Sequence, residues 1–103
     1  MLAVNNETFA ANVRQTGVTM VDFNTQWCPP CKVLKPILEE LDTSYGDKLS
    51  VLEVNCDESP ELAGQFGVMA NPTVIVFHNG EPVEKLVGLR PKSVYESLLS
   101  RYV

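Results

Sequence analysis

The sequence is short of positive charge and has no long apolar run. Lysine and arginine number 8 against 13 acidic residues, and the formal net charge is -5. A surface that binds nucleic-acid phosphates needs the opposite balance, so nucleic acid is not an expected partner. No apolar stretch approaches membrane-spanning length, and no basic segment followed by an apolar one opens the chain. We therefore expect no membrane partner and predict a cytoplasmic protein.

Cysteine is also scarce, with three residues in a chain of 103. Such a small, odd number does not form the disulfide framework of a secreted domain, and it leaves one thiol, expected to be Cys56, without an intramolecular partner. The chain is 45% apolar, which suffices for one hydrophobic core. Residues 1–103 are therefore predicted to form a single domain.

The chemistry of the chain is concentrated in Cys28 and Cys31, which lie between an apolar strand-like run and a long helical pattern. Residues three apart at a helix start share one face, close enough for the short Cα separation of a disulfide. Such a bridge closes a very short loop and constrains little of the unfolded chain, so a structural role explains it poorly. The pair indicates redox exchange.

The alternative for these cysteines is metal binding, because Cys28, Cys31, Cys56 and His78 could form a Cys3His set. Zinc sites usually present two close pairs, whereas Cys56 and His78 are isolated in the sequence. We therefore predict no metal site. Cys56 is interpreted as a small core residue and His78 as a solvent-facing turn residue.

Strand patterns alternate with helical ones along the chain. Strands are predicted at residues 2–4, 18–23, 49–54, 73–77 and 82–87, and Asn79-Gly80 makes the last two an antiparallel hairpin. Buried strands that alternate with helices imply parallel crossovers and helices on both faces of a sheet. The predicted fold class is α/β, with three α/β/α layers around a mixed sheet of about five strands.

Four helices are predicted between and after these strands. The first has Asn5 and Asn6 as caps, Phe9 and Val13 on one face, and Gly17 as its end. The second runs from Pro30 to Gly46 with a kink at Pro36, and the third begins at Ser59-Pro60-Glu61 and ends near Gly67. The last helix begins at Pro91, and its inward residues are expected to be Val94, Leu98 and Tyr102.

Four separate segments resemble the thioredoxin family, in the family's order and at family-like separations. They are Val21-Asp22-Phe23, Trp27-Cys28-Pro29-Pro30-Cys31-Lys32, Asn71-Pro72-Thr73 and Val87-Gly88. The resemblance extends along nearly the whole chain. It implies the thioredoxin fold, with four helices around the sheet, and a protein-disulfide reductase.

The position of Cys28 at a helix N-terminus favours its thiolate, because unpaired N–H groups and the positive end of the helix dipole meet there. We expect Cys28 to be exposed and to attack the target disulfide. Cys31, one turn further and more buried, is expected to attack the resulting mixed disulfide and to release the reduced target.

Asp22 is an ionisable residue within an apolar strand. Burial without a partner should raise its pKa, which suits a proton acceptor. The resemblance implies that it lies behind Cys31 and helps to deprotonate it. The alternative is a strand-end aspartate that reaches solvent.

The resemblance also implies a docking surface. Pro72 corresponds to the family's cis-proline, and the backbone of Asn71 is expected to pair with an extended target peptide. Trp27, Ala70 and Gly88 should complete a flat, mostly apolar surface around Cys28. The alternative for Trp27 is a purely core position.

The chain departs from common family patterns at several positions. Glu53 stands where many members have lysine. Lys35 is the cation expected to pair with Glu53 or Asp22. The alternative is that the Lys35 and Glu53 side chains do not interact and are both solvated. Pro29-Pro30 replaces Gly-Pro, and proline at position 29 removes an N–H that could stabilise the Cys28 thiolate. Asn24 replaces a frequent aromatic residue, and Asn71 a more usual apolar one.

The implied function is reduction of disulfide-containing protein substrates by a monomer without a bound cofactor. Electrons come indirectly from NADPH through a flavin enzyme, thioredoxin reductase. Two alternatives are a more specialised or more oxidising redoxin, suggested by the Pro-Pro pair, and a non-catalytic binding module. The second is disfavoured because docking alone requires neither cysteine, nor Asp22, nor Pro72.

Overall fold

The computed structural model describes all of residues 1–103. Its elements follow the predicted order: β1 (Leu2–Val4), α1 (Phe9–Asn12), β2 (Val18–Asn24), α2 (Pro29–Tyr45), β3 (Leu49–Asn55), α3 (Pro60–Gln65), β4 (Thr73–His78), β5 (Glu81–Val87) and α4 (Lys92–Leu99). A 3-10 turn, Gly46–Lys48, joins α2 to β3. None of the helices combines the length and the apolar character required to cross a lipid bilayer.

The five strands form one mixed sheet in the order β1-β3-β2-β4-β5. Strand β3 is parallel to β1 and β2, whereas β4 is antiparallel to β2 and β5. The last two strands are the predicted hairpin, and β1, the strand predicted at residues 2–4, lies at an edge of the sheet. The central position of β2 explains why nearly all of its residues are buried.

Successive residues of β2 face opposite layers of the fold. Val18 and Met20 belong to the core between the sheet and helices α2 and α4, whereas Val21 and Phe23 belong to the core on the face of α1 and α3. Because Asp22 has the parity of Met20, its side chain faces the α2 layer. The alternation of β2 therefore directs a carboxylate toward the helix that carries both cysteines of the pair.

Helix α2 begins at Pro29, one residue before the predicted start, and continues as one helix through Pro36. Proline is tolerated at the first two helical positions because the N–H groups there have no intrahelical partner. The expected kink at Pro36 stays a prediction.

Helix α1 is shorter than expected and begins after Thr8. Asn5 Oδ1 accepts hydrogen bonds from the N–H groups of Glu7 and Thr8, at 2.9 and 3.0 Å. Asn5 therefore caps the turn that leads into α1, and its carbonyl accepts from the N–H of Phe9, whereas the helix boundary itself lies at Thr8 and Asn6 makes no capping bond. The short side chain of Asn5 binds backbone N–H groups two and three residues ahead, which is the usual local bond of an Asx turn.

The inward face of α4 also differs from the prediction. Tyr95 and Leu99 are fully buried, while Val94, Leu98 and Tyr102 are only half-buried. Both sets have helical spacing, so periodicity predicts an apolar stripe without locating its centre.

His78 ends β4 and is half-buried, with its ring 5.3 Å from that of Tyr102. The interpretation of His78 as a solvent-facing turn residue is therefore wrong. The turn starts one residue later, at Asn79, whose positive φ of 53° fits a tight hairpin.

Candidate active site around Cys28 and Cys31

Cys28 and Cys31 form a disulfide at the start of α2, with their Cα atoms 5.2 Å apart. Cys28 is the N-cap residue, and the N–H of Cys31 donates to Cys28 Sγ over 3.3 Å. The Cys28 carbonyl accepts the first helical bond, from Lys32. The helix therefore directs an N–H donor and the positive end of its dipole at the Cys28 sulfur.

The expected difference in exposure between the two cysteines is not found. Cys28 is 8% exposed and Cys31 is 5% exposed. Both are buried in the oxidised protein, because bonded sulfur atoms cover part of each other's surface. What distinguishes the two is position: only the Cys28 sulfur receives a helix N–H.

Pro29 and Pro30 occupy the first and second helical positions. An N-cap side chain accepts from the N–H of the second or third position. The third position, Cys31, provides that bond, so Pro30 removes the second donor. The proline that deprives the Cys28 sulfur of an N–H donor is therefore Pro30, whereas the sequence led us to expect Pro29.

Asp22 is fully buried. Burial raises the pKa of Asp22 to about 6; the Asn24 hydrogen bond opposes this shift, the negative charge of Glu53 adds to it and Lys35 opposes it. Its Oδ1 atom has no hydrogen-bond partner. The predicted burial and raised pKa are confirmed, and the alternative of a solvent-reaching aspartate is wrong.

Glu53 and Lys35 both belong to the surroundings of Asp22. Glu53 is the register partner of Asp22 on β3. Lys35 Nζ lies 3.8 Å from Glu53 Oε2, and the Glu53 side chain is 21% exposed. Lys35 thus pairs with Glu53, and the alternative that they are unrelated is wrong.

Asn24 has a contact that the sequence did not indicate. Its Nδ2 atom lies 3.3 Å from Asp22 Oδ2 and 3.4 Å from Glu53 Oε1. Strand parity offered a signal, since Asn24 lies two residues after Asp22 on the same strand. The second contact depends on the register between β2 and β3, which the sequence does not show.

A polar pocket of about 220 Å³ opens beside Cys31. Its lining includes Asn24, Cys31, Lys35 and Glu53. The charged and amide groups beneath the cysteine pair therefore share one polar cavity with the second cysteine.

The loop before β4 lies at the same end of the sheet. The peptide bond between Asn71 and Pro72 is cis, and Pro72 is buried. Thr73 pairs with Phe23 near the end of β2 and with Val87 on β5, which places Pro72 beside the end of β2 and near Gly88. The Gly88 N–H donates to the Pro72 carbonyl over 2.8 Å.

The backbone N–H and C=O of Asn71 make no hydrogen bond within the chain. Its side-chain Oδ1 accepts from Cys56 Sγ at 3.4 Å. Asn71 therefore presents a free backbone donor and acceptor, which is what an added extended segment requires.

Exposed apolar side chains flank these elements. Trp27 is 80% exposed, which excludes the purely core position, and Ala70 is also exposed. Met69 is 96% exposed and Leu89 is 40% exposed; neither was predicted to belong to the docking surface. Their only sequence signal was adjacency, next to Ala70 and Gly88.

The four residues of the metal alternative do not converge. Cys56 follows β3, and its N–H donates to the carbonyl of Asn24, at the end of β2 near the disulfide. His78 pairs with Val18 at the other end of β2, about 20 Å away for six strand residues. Cys56 is a free, half-buried thiol packed against the α1/α3 core.

Comparison with known proteins agrees with this geometry. The model of the thioredoxin family matches residues 1–101. The chain belongs to the thioredoxin family. Thioredoxin from Bacillus subtilis (strain 168) is 40% identical over 103 residues, and that from Staphylococcus haemolyticus (strain JCSC1435) is 43% identical; each match covers 100% of this chain and 98% of the relative.

The solved structures include a thioredoxin with the same fold. A single-site mutant of thioredoxin from Halobacterium salinarum NRC-1 superposes with a TM-score of 0.89 at 32% identity, covering 98% of this chain and 88% of that one. The predicted thioredoxin fold is confirmed. Like other thioredoxins, this chain is a disulfide oxidoreductase, and its bonded cysteine pair is suited to thiol–disulfide exchange.

Proposed function

We propose that this chain is a general protein-disulfide reductase in which Cys28 is the nucleophile and Cys31 the resolving thiol. The observation that carries this assignment is the N–H of Cys31 directed at Cys28 Sγ. A donor to sulfur stabilises a thiolate, and the thiolate is the attacking species.

The reaction proceeds through two exchanges. The Cys28 thiolate bonds to one target sulfur, and the target's other sulfur leaves with the electron pair of the broken bond and takes up a proton. Cys31 loses its proton, bonds to the Cys28 sulfur and displaces the second target thiol. Two electrons and two protons pass to the target, and the chain is left with its Cys28–Cys31 disulfide.

Asp22 is proposed to take the Cys31 proton in the second exchange. It faces the layer that contains α2, and its Oδ1 atom has no other partner. A carboxyl with a pKa of about 6 is mostly ionised at neutral pH and is still basic enough to accept a proton, and a pKa near the operating pH favours general base catalysis.

The target is proposed to dock by backbone pairing with Asn71, across Pro72, Trp27, Ala70 and Gly88. The free backbone groups of Asn71 support this mode, because main-chain hydrogen bonds accept many target sequences. The 80% exposure of Trp27 beside Cys28 supports its contact with the target.

Regeneration is proposed to use thioredoxin reductase, a flavin enzyme that draws electrons from NADPH, in the cytoplasm. This chain itself is proposed to act as a monomer of one domain, residues 1–103, without a bound cofactor. The two cysteines alone carry the electrons, which is sufficient for a dithiol carrier.

A second candidate, suggested by the Pro-Pro pair, is a more specialised redoxin with a shifted potential. Prolines at the first two helical positions leave the Cys28 sulfur a single N–H donor. Weaker thiolate stabilisation disfavours the reduced form, so this change by itself lowers the potential and speaks against a more oxidising redoxin. Equilibration with glutathione and with dithiothreitol tests this candidate. A potential in the thioredoxin range supports the general reductase, and one clearly outside that range supports the alternative.

A turnover experiment tests the principal proposal. Reduction of a protein disulfide by dithiothreitol is measured with the wild-type chain, Cys28→Ser and Cys56→Ser. Acceleration should be abolished in Cys28→Ser and retained in the matched Cys56→Ser control. Full activity of Cys28→Ser would contradict the assignment.

A further inference from the structure

One carboxamide contacts both carboxylates behind the cysteine pair. Asn24 Nδ2 reaches Asp22 Oδ2 at 3.3 Å and Glu53 Oε1 at 3.4 Å. The two N–H bonds of one amide can address the two carboxylates separately. No other group of the chain donates a hydrogen bond to the Asp22 carboxyl.

The contact engages one oxygen of Asp22 and leaves the other free. Oδ1 is buried and has no partner. A buried, charged oxygen without a donor costs free energy, and binding a proton lowers that cost because it neutralises the charge. The asymmetry makes Oδ1 the atom best suited to receive a proton.

The bridge lies against the second cysteine. Asn24, Glu53 and Cys31 line the same polar pocket of about 220 Å³. Asn24 therefore contacts the buried Asp22 carboxyl and also borders the cavity that Cys31 borders.

We propose that Asn24 is a positioning residue for proton transfer from Cys31: its amide holds Asp22 through Oδ2 and Glu53 through Oε1, so that Asp22 Oδ1 receives the proton. The inference depends on the proposed role of Asp22 as the proton acceptor. In the step, the S–H bond of Cys31 breaks and the proton binds Oδ1. The Cys31 sulfur then bonds to Cys28 Sγ, the S–S bond between Cys28 and the target breaks, and the target sulfur leaves as a thiolate with the electron pair of that bond. The amide of Asn24 keeps its own protons throughout.

Other charged or titratable groups interact with Asp22 through space. Glu53 lies on β3, Lys35 on α2 and Tyr95 on α4, whereas Cys56 packs against the α1/α3 core on the other face of the sheet. The charge of Asp22 contributes to the raised pKa values of Cys56 and Tyr95, for which burial is the main cause. None of these groups hydrogen-bonds to Asp22, so their effects act through space.

Loss of the amide has a predictable sign. A donor to a carboxylate favours the ionised form, so its removal raises the pKa of Asp22. Both contacts are longer than the usual range of roughly 2.7–3.2 Å. We therefore expect the pKa of Asp22 to rise by about 0.5 to 1 unit, below the roughly one to two units of a well-formed hydrogen bond to a charged group.

The test compares Asn24→Ala with Gln26→Ala in the oxidised protein. Gln26 is a matched control, because it is an exposed amide that lines the same pocket without bonding to either carboxylate. The carboxyl-carbon NMR signal of Asp22 is followed against pH. Its midpoint should rise in Asn24→Ala and stay at the wild-type value in Gln26→Ala.

A kinetic readout separates orientation from simple packing. Single-turnover oxidation of the reduced chain by a model disulfide, followed by stopped flow, gives the pH profile of the second exchange. Its inflexion should move with the NMR midpoint. If Asn24→Ala does not fold, Asn24→Thr, with a β-branched residue suited to the strand, replaces it with the same expected direction.

The two ways of failing are distinguishable. If the NMR titration midpoint of Asp22 is the same in Asn24→Ala as in the wild type, the positioning role of Asn24 is overturned, whether or not Asp22 accepts the proton. A moved midpoint with an unmoved kinetic inflexion shows that Asp22 is not the acceptor for Cys31, and the inference then falls with that part of the proposed function.

Discussion

Asp22 on β2 lies directly opposite Glu53 on β3, in the register of two parallel strands. Like charges placed side by side in a sheet are destabilising. The two carboxylates have different environments. Glu53 is partly exposed and pairs with Lys35 at 3.8 Å, whereas Asp22 is fully buried and its pKa is raised to about 6. The pair therefore combines a carboxylate that has a counter-ion with one that can hold a proton near neutral pH.

Replacement of Asp22 by Asn should stabilise the oxidised protein above pH 6. The folded-state pKa of about 6 exceeds the ordinary value of 3.8, so the folded state binds the extra proton, and wild-type stability falls as pH rises between these values. The variant lacks this loss and should be more stable by up to about 3 kcal/mol at pH 7.5, but not below pH 4.

Chemical denaturation of both oxidised proteins at pH 7.5 and pH 4 measures the difference. Because the other carboxylates titrate in both proteins, their effects cancel in the comparison. Equal stability at both pH values would mean that ionised Asp22 carries no net cost in the fold.

Neutralisation of the two charges beside Asp22 should move its pKa in opposite directions. Glu53→Gln removes a negative charge that raises it, so the pKa should fall; Lys35→Met removes a positive charge that lowers it, so the pKa should rise. Each change should be a few tenths of a unit, since both partners are partly exposed. NMR titration of the Asp22 carboxyl in both variants measures these changes. If its pKa moved in the same direction in both, the opposite electrostatic effects of Glu53 and Lys35 on Asp22 would be contradicted.

Cys31→Ser should accumulate a stable mixed disulfide with the target through Cys28, because the resolving thiol is missing. Mass spectrometry of the trapped product identifies the bonded cysteine.

In the reduced wild-type chain, alkylation at moderate pH should label Cys28 first. Burial, with the charges of Asp57 and Asp22, raises the pKa of Cys56 and makes it slower to react. Earlier labelling of Cys31 or Cys56 would refute the choice of nucleophile.

The two prolines of the active site should affect the Cys28 thiolate differently. Pro30→Ala restores an N–H at the second helical position, within reach of the N-cap sulfur, and should lower the pKa of Cys28 by up to about one unit. Pro29→Ala restores an N–H at the first position and should change it less. Thiolate absorbance against pH compares the variants; a larger change in the Pro29 variant would restore the expectation drawn from the sequence.

The order of the elements, the hairpin and the reactive cysteine pair are all predictable from the amino-acid sequence. Each of these depends on neighbours within a few residues: Asn79-Gly80 dictates a tight turn, and three-residue spacing at a helix start brings Cys28 and Cys31 together. The burial of Asp22 was predictable for the same reason, since the apolar run around it already indicates a central strand.

The side chains that contact one another across the sheet are not predictable in this way, because they depend on how distant segments pack. The bridge from Asn24 to Glu53 joins residues 29 positions apart and depends on the register of β2 against β3. The inward turn of Tyr95 depends on how α4 packs against the sheet. Periodicity constrains a face or a spacing but leaves register and helix rotation open, because these are settled by packing between distant segments.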